Sequence, residues 1–260
     1  MERTRGFTLI ELIMVIVLLA IVATVSVRFV ALSTRGALDV SERQQRALQG
    51  VVISEQITRE LREAFPLSIR TSDECLEWLP LEGATGYTSL PTAGGDRIEI
   101  VPFDEVPSAS SMRAIVYGYG TGTSALYGSA NPGSVSSPVA TIGNAASPPF
   151  IELQAAHRFA ERSPERRVFL VGEPVSLCQS GRYLYRYSGY GRNPSQPLFP
   201  ASGNREVLSA NLTGTVDFTY LPATFQRSAV IQFTFTLRDY ETGSDETTTV
   251  SQEVQIRNVP

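Results

Sequence analysis

Hydrophobic and polar positions divide the chain into two regimes. From Phe7 to Val27 nothing carries a charge except Glu11. A run of about 21 residues rises roughly 31 Å as a helix, enough to cross the hydrocarbon core of a bilayer. The helical pattern then continues with a change of character. Residues 37–65 are rich in Glu, Gln, Arg, Leu and Ala, all good helix formers. Ile53, Ile57, Leu61 and Phe65 recur every fourth position, and Leu48 and Val52 are expected to lead into the same apolar flank. Glu42, Gln45, Gln49, Glu55, Arg59 and Arg62 supply the wetter side. Pro66 closes the segment, because the residue before a proline is pushed out of the helical region. The spacing predicts one helix from residue 7 to about residue 65, with Gly36 and Gly50 as its weak points. Its first half suits lipid, and its second half lays an apolar stripe on a globular domain.

Beyond residue 66 the period shortens. Alternating β-type runs occur at 97–101, 114–117, 150–153, 167–171, 175–178 and 183–187, and again at 207–212, 216–221, 229–237 and 248–256, with Gly, Pro and Ser between them. Val230, Gln232, Thr234 and Thr236 alternate with Ile231, Phe233, Phe235 and Leu237, the pattern of a half-buried strand. The stretch 118–149 is rich in Gly, Ser, Ala and Asn and reads as a long surface loop. The expected class is α+β, a long N-terminal helix packed on antiparallel sheet. The expected organisation is a basic leader at 1–6, a membrane span at 7–27, an amphipathic continuation at 28–65 and a β-rich domain at 66–260.

Composition narrows the functions. The net charge is −4 and no lysine is present. The arginines are scattered, with no run longer than Arg166-Arg167, so no nucleic-acid-binding stripe is visible. His157 is the only histidine, which excludes a histidine metal cage, and no nucleophile-elbow motif accompanies it. It reads as a packed or hydrogen-bonded structural residue. Cys75 and Cys178 do not form a C-x-x-C pair, so thiol redox catalysis has no support. Outside the cytoplasm two such cysteines most simply form a disulfide, and the alternative is two separate buried thiols. Gly118, Gly120 and Gly122 lack the following helix and lysine of a phosphate loop.

Asp239, Glu241 and Asp245, with Glu246, offer oxygen ligands of the kind calcium takes, against the plainer reading of a solvated acidic turn. No other cofactor is expected. Tyr183, Tyr185, Tyr187 and Tyr190 stand among Arg182, Arg186 and Arg192, either as a contact face or simply as one side of a sheet. No catalytic residue is assigned, and an enzyme is not expected.

Glu11 is the anomaly. An ionised group inside the bilayer costs about 2.5–3.5 kcal/mol at a helix centre on insertion scales, less near an end. Such a residue needs a counter-charge. Cleavage between Gly6 and Phe7 would create one, a new amine one helical turn from the carboxylate. A secretory signal would have a shorter apolar core and a small-residue cleavage site, which Val25-Ser26-Val27-Arg28 does not offer. A plain single-span anchor remains the alternative, and it leaves Glu11 without a reason. Arg3 and Arg5 precede the span while Arg28 and Arg35 follow it, so charge alone does not orient it.

The run Arg5-Gly6-Phe7-Thr8-Leu9-Ile10-Glu11 resembles the processing site of type IV prepilins and type II secretion pseudopilins. The resemblance implies cleavage after Gly6 by a membrane prepilin peptidase, methylation of the Phe7 amine, and pairing of Glu11 with the Phe7 amine of an adjacent subunit. It also implies other pilins and an inner-membrane assembly platform as partners. A cytoplasmic leader and a periplasmic domain would come first, and a place in a pilus or pseudopilus after assembly. Many major pilins carry a proline near the end of the span, where this chain has Arg28.

Scattered patches resemble the minor prepilins of MSHA-type type IV pili. They are 66–70, Cys75-Leu-Glu-Trp-Leu79, His157-Arg-Phe159, Arg167-Val-Phe169, Pro174-Val-Ser-Leu-Cys178, Tyr187-Ser-Gly-Tyr-Gly191 and Asn258-Val-Pro260. That likeness implies a role in filament assembly or initiation and in surface attachment, and a structural Cys75–Cys178 pair. A J-type pseudopilin of type II secretion stays open, as does a membrane-anchored periplasmic adhesin or enzyme.

Overall fold

The computed structural model describes residues 8–72, 74–108, 111–224, 227–240 and 245–256. The chain divides into two compact units, Met1–Leu48 and Gln49–Pro260. Helix α1 runs without interruption over Leu9–Arg62, carrying Glu11 in its first turn and Arg59 and Arg62 in its last, both signs favourable to the helix dipole.

α1 stops earlier than the pattern suggests. The Leu81 N–H bonds the Glu63 carbonyl at 2.8 Å and the Phe65 N–H bonds the Leu79 carbonyl at 2.8 Å, so the chain leaves the helix to pair with an incoming segment. Phe65 is extended, as a residue before proline should be, and does not belong to the helical stripe. Its ring packs tilted against Phe169, with centroids 5.5 Å apart. Leu48 and Val52 also depart from the expectation, since both are exposed. The buried face of the second unit's helix is Gly50, Ile53, Ser54, Ile57, Thr58 and Leu61. Two positions from Gly50 is a rotation of about 160–200°, which puts Leu48 and Val52 on the far side. Small residues at 50, 54 and 58 carry the stripe, and a search for large apolar ones passes over them.

After a 3-10 turn at Pro66–Ser68 come strands β1 (Arg70–Thr71), β2 (Cys75–Trp78), β3 (Leu81–Ser89), β4 (Gly95–Ile100) and β5 (Arg113–Ile115). A short helix α2 (Thr123–Leu126) precedes β6 (Val135–Gly143), β7 (Phe150–His157), β8 (Arg167–Val171), β9 (Val175–Ser180), β10 (Tyr183–Ser188) and β11 (Asn204–Ser209). β12 (Leu212–Leu221), β13 (Ala229–Arg238) and β14 (Thr247–Ile256) complete the chain. The stretch 118–149, expected as loop, therefore holds α2 and β6. β6 is poor in large apolar residues because it is a barrel wall stapled by hydroxyls. Ser136 Oγ accepts the Ala114 N–H at 2.9 Å, and Ser137 Oγ donates to the Ala155 carbonyl at 2.7 Å.

Three assemblies result: a five-stranded sheet in the order β1-β2-β9-β10-β11, a three-stranded sheet β12-β13-β14, and a closed barrel β3-β4-β7-β6-β5-β8. Among the described residues all strand pairs are antiparallel. The α+β architecture is the one the periodicity implies. The barrel was not foreseen. It occupies residues 81–171, an insertion between the neighbouring strands β2 and β9.

The main core joins Ile53, Ile57 and Leu61 of α1 to both sheets, through Leu76, Trp78, Leu177, Leu184, Ile231, Phe233 and Phe235 among others. The barrel has its own core, including Ile98, Ile100, Ala114, Ile151, Val168 and Leu170. A third cluster, with Phe65, Leu79, Ile115, Leu126, Tyr127 and Phe169, welds the barrel to the segment after α1.

Candidate functional site

The first turn of α1 is organised by two side chains. Thr8 stands before the helix and Glu11 is its third helical residue. The Glu11 N–H donates to Thr8 Oγ1 at 3.4 Å, and the Thr8 N–H donates to Glu11 Oε2 at 3.4 Å. Thr8 Oγ1 donates to the same carboxylate oxygen at 3.4 Å. This reciprocal pattern is a capping box, which satisfies helix N–H groups that have no partner one turn back. The Leu12 N–H then bonds the Thr8 carbonyl at 3.2 Å and the helix is under way. Thr-x-x-Glu is legible in the sequence, and the structure gives Glu11 a local task within its own helix. Both arms of the capping box are long, and a carboxylate has lone pairs left for a stronger cation.

The side chains that follow are apolar on every face. From Leu9 to Val27 the large hydrophobic residues are all exposed, from 43% for Val15 to 77% for Leu9. The helix is long and apolar enough to cross a membrane. A helix apolar all round has no wet side and needs lipid or other protein about it. Thr24 Oγ1 donates to the Ala20 carbonyl at 2.7 Å and Thr34 Oγ1 to Val30 at 2.9 Å, which hides both hydroxyls on the helix itself. Gly6 and Phe7, the expected cleavage and methylation positions, lie outside the described residues.

In the second unit the expected disulfide is present. Cys75 and Cys178 are joined, and they are register partners across β2 and β9. Two short connections leave this point for the barrel, Leu79-Pro80 and Gly172-Glu173-Pro174, tied by the Gly172 N–H to the Pro80 carbonyl at 2.9 Å. Beside the disulfide lies a charged pair that sequence reasoning missed. Glu77 is fully buried; its Oε2 accepts Arg70 Nε at 2.5 Å and its Oε1 accepts the Tyr190 hydroxyl at 2.8 Å. Arg70 also donates to the Pro194 and Asn193 carbonyls at 2.7 Å each, and its guanidinium lies 3.6 Å from the centroid of Tyr127. Burial and the neighbouring Glu77 push the Tyr190 hydroxyl far above its ordinary range, which keeps it a neutral donor.

The arginine and tyrosine grouping separates in space. Tyr183 and Tyr185 stack with centroids 5.7 Å apart, with Arg182 over Tyr183 and Arg205 over Tyr185. Tyr187 is buried against the disulfide. Arg186 points the other way and meets Glu60 of α1, with Nε 3.0 and 2.9 Å from the two carboxylate oxygens. Arg192 enters the neck and donates to the Leu126 and Gly172 carbonyls at 3.2 and 2.7 Å. Burial, with Arg113 nearby, lowers its pKa to about 10.

His157 is buried, with Nε2 3.0 Å from the Gly133 carbonyl and its ring edge-on to Phe159. Asp245 pairs with Arg238 at 2.5 Å, while Glu241 lies outside the described residues. Among the described residues no group of three acidic, His or Cys side chains is placed to hold a metal ion.

The sequence profile of the prokaryotic N-terminal methylation motif matches residues 1–27. The matched stretch holds Gly6, Phe7, Glu11 and the apolar run, and it makes this chain type IV prepilin-like at its N-terminus. No curated protein and no solved structure matches the chain.

Proposed function

We propose that the chain is a structural subunit of a type IV pilus or related pseudopilus, and specifically a minor pilin of the MSHA type that enters or primes the filament. Prepilin peptidase removes residues 1–6, the amine of Phe7 is methylated, and Glu11 pairs with that amine on an adjacent subunit. Before assembly the chain crosses the inner membrane once, with residues 66–260 in the periplasm. The observation that carries this reading is the methylation motif at 1–27 joined to an exposed, all-round apolar helix that bears one carboxylate in its first turn. A carboxylate there is tolerated when a cation reaches it. The MSHA assignment rests on the sequence patches around Cys75, His157, Cys178 and Tyr187. The bulk of a domain carrying an inserted barrel fits an initiating or terminal position better than a repeating one.

Glu11→Ala is the test. It should leave the full chain in the membrane and reduce its recovery in sheared filaments at least tenfold, with Glu11→Asp intermediate. Intact mass of the filament-borne chain should begin at a methylated Phe7. Normal incorporation of the alanine variant, or an uncut Met1 in filaments, overturns the reading.

A further inference from the structure

Where β5 leads to β6 and β7 leads to β8, the two connections enclose a cavity of about 260 Å³. Tyr119, Gly120, Thr121, Ser134 and Glu161 line it, with small apolar residues between them.

The walls are fixed by the chain itself. Asn131 Nδ2 donates to the Ala156 carbonyl at 3.1 Å, and Asn131 Oδ1 accepts the Arg158 N–H at 2.9 Å. The Gly133 N–H bonds the Arg158 carbonyl at 3.1 Å, and the Ala160 N–H bonds the Gly133 carbonyl at 3.3 Å. Gly133 has no room for a side chain, since a Cβ there would strike the Ala130 carbonyl. Gly120 is the opposite case: its φ is +79°, and nothing stands within 4 Å of where a Cβ would be. Tyr117, a bulky residue, is held at φ +47° shortly before it. Strain of this kind persists only where the surroundings impose it, and it collects at ligand clamps.

The polarity of the lining selects a ligand. A hydroxyl has one proton to give and two lone pairs with which to accept. Thr121 Oγ1 gives its proton to the Gly118 carbonyl at 3.0 Å, and Ser134 Oγ gives its own to the Tyr117 carbonyl at 3.2 Å. The two oxygens stand 3.4 Å apart with lone pairs left over. Glu161 is the only charged residue of the lining, is exposed, and makes no ion pair among the described residues. An ionised carboxylate only accepts. Arg158 and Arg162, which flank Glu161 in sequence, turn instead to Thr92, at 3.1 and 3.4 Å. Tyr119 adds an aromatic wall, whose face attracts cations. An anion meets repulsion here, and a neutral alcohol leaves the carboxylate without a counter-charge.

We propose that this cavity binds a primary ammonium group carried on a short aliphatic stem. A compact charge with three rotatable donors suits separated acceptors on Thr121, Ser134 and Glu161. The planar guanidinium fork suits the paired oxygens of one carboxylate or phosphate instead. The chain contains no lysine, so a second copy has no side-chain ammonium to offer, and the ligand comes from another molecule. The inference uses only residues between β5 and β8 and stands apart from the assembly role.

Ligand-observed NMR titration of the full chain in nonionic detergent at pH 7, with empty micelles as the blank, tests this. The probes are n-butylammonium, n-butanol, butyrate and n-butylguanidinium. Butylammonium should bind at least tenfold more tightly than each of the others. Glu161→Gln should weaken it at least tenfold without moving the melting temperature, and Thr121→Val should weaken it less. Glu165→Gln, which changes an exposed carboxylate outside the lining, should leave binding unaltered. Equal binding of butanol, preference for butyrate or butylguanidinium, or no saturable binding overturns the proposal. Full affinity in Glu161→Gln overturns it too. N-acetyl-lysine N-methylamide binding more tightly than butylammonium assigns the ammonium to a protein side chain. The reverse order assigns it to a free amine, and both orders sustain the site.

Discussion

Cys75 and Cys178 face each other across two adjacent strands although 103 residues separate them, and the barrel occupies most of that interval. The bond closes the neck of an inserted module. It therefore restrains the unfolded chain over a long loop, and the folded sheet is already paired at that point without it.

Removing the bridge should accordingly lower stability by about 3–5 kcal/mol, the chain-entropy expectation for a loop of this size. The comparison is urea unfolding of the full chain in detergent, wild type against Cys75→Ala/Cys178→Ala, followed by the fluorescence of Trp78. A loss below about 1 kcal/mol would show that the barrel and its welded core already hold the neck in the unfolded ensemble.

Glu77 should be intolerant of truncation. Glu77→Ala leaves the half-buried Arg70 without its carboxylate and Tyr190 without its acceptor, and breaking a buried pair by one partner costs about 3–5 kcal/mol. Glu77→Gln keeps an acceptor for Tyr190 and should cost less. Combining Arg70→Met with Glu77→Leu, which removes both charges, should recover part of the loss. Equal melting temperatures for Glu77→Ala and wild type would contradict the account of the neck.

Gly50 should resist the substitution that helix propensity favours. Alanine is better than glycine in a helix by about 1 kcal/mol, but here its methyl would sit 2.7 Å from Val250 Cγ2. Overpacking of this kind costs about 1–3 kcal/mol, so Gly50→Ala should be neutral to destabilising alone. With Val250→Ala the same change should become stabilising relative to Val250→Ala by itself. A double-mutant cycle of thermal melts reads that sign change, and additivity would remove the close contact from the argument.

The legible parts of this chain are those whose meaning is local. Phe7–Val27 announces a lipid-compatible helix by composition, and Ile231, Phe233, Phe235 and Leu237 announce a strand by alternation. The two cysteines point to a bridge once an oxidising compartment is inferred. What escaped notice depends on partners far along the chain. The second half of α1 buries Gly50, Ser54 and Thr58 because a sheet approaches closely there, and nothing nearby in sequence says so. β6 looks like a loop because its hydroxyls, not large side chains, hold it in the barrel wall. Glu77 looks like a surface residue in a short strand until Arg70, Ser176 and Tyr190 close over it. At the N-terminus Glu11 is plain as the one charge in an apolar run, and its contact with Thr8 follows from a spacing of three.

The barrel begins and ends on neighbouring strands, so the platform experiences some ninety residues as though they were a hairpin turn. Anything whose two ends emerge a strand's width apart would fit the same socket. Exchange or deletion of the module is therefore a mild topological change, and the helix and two sheets that frame it are free to stay constant while the insert diverges.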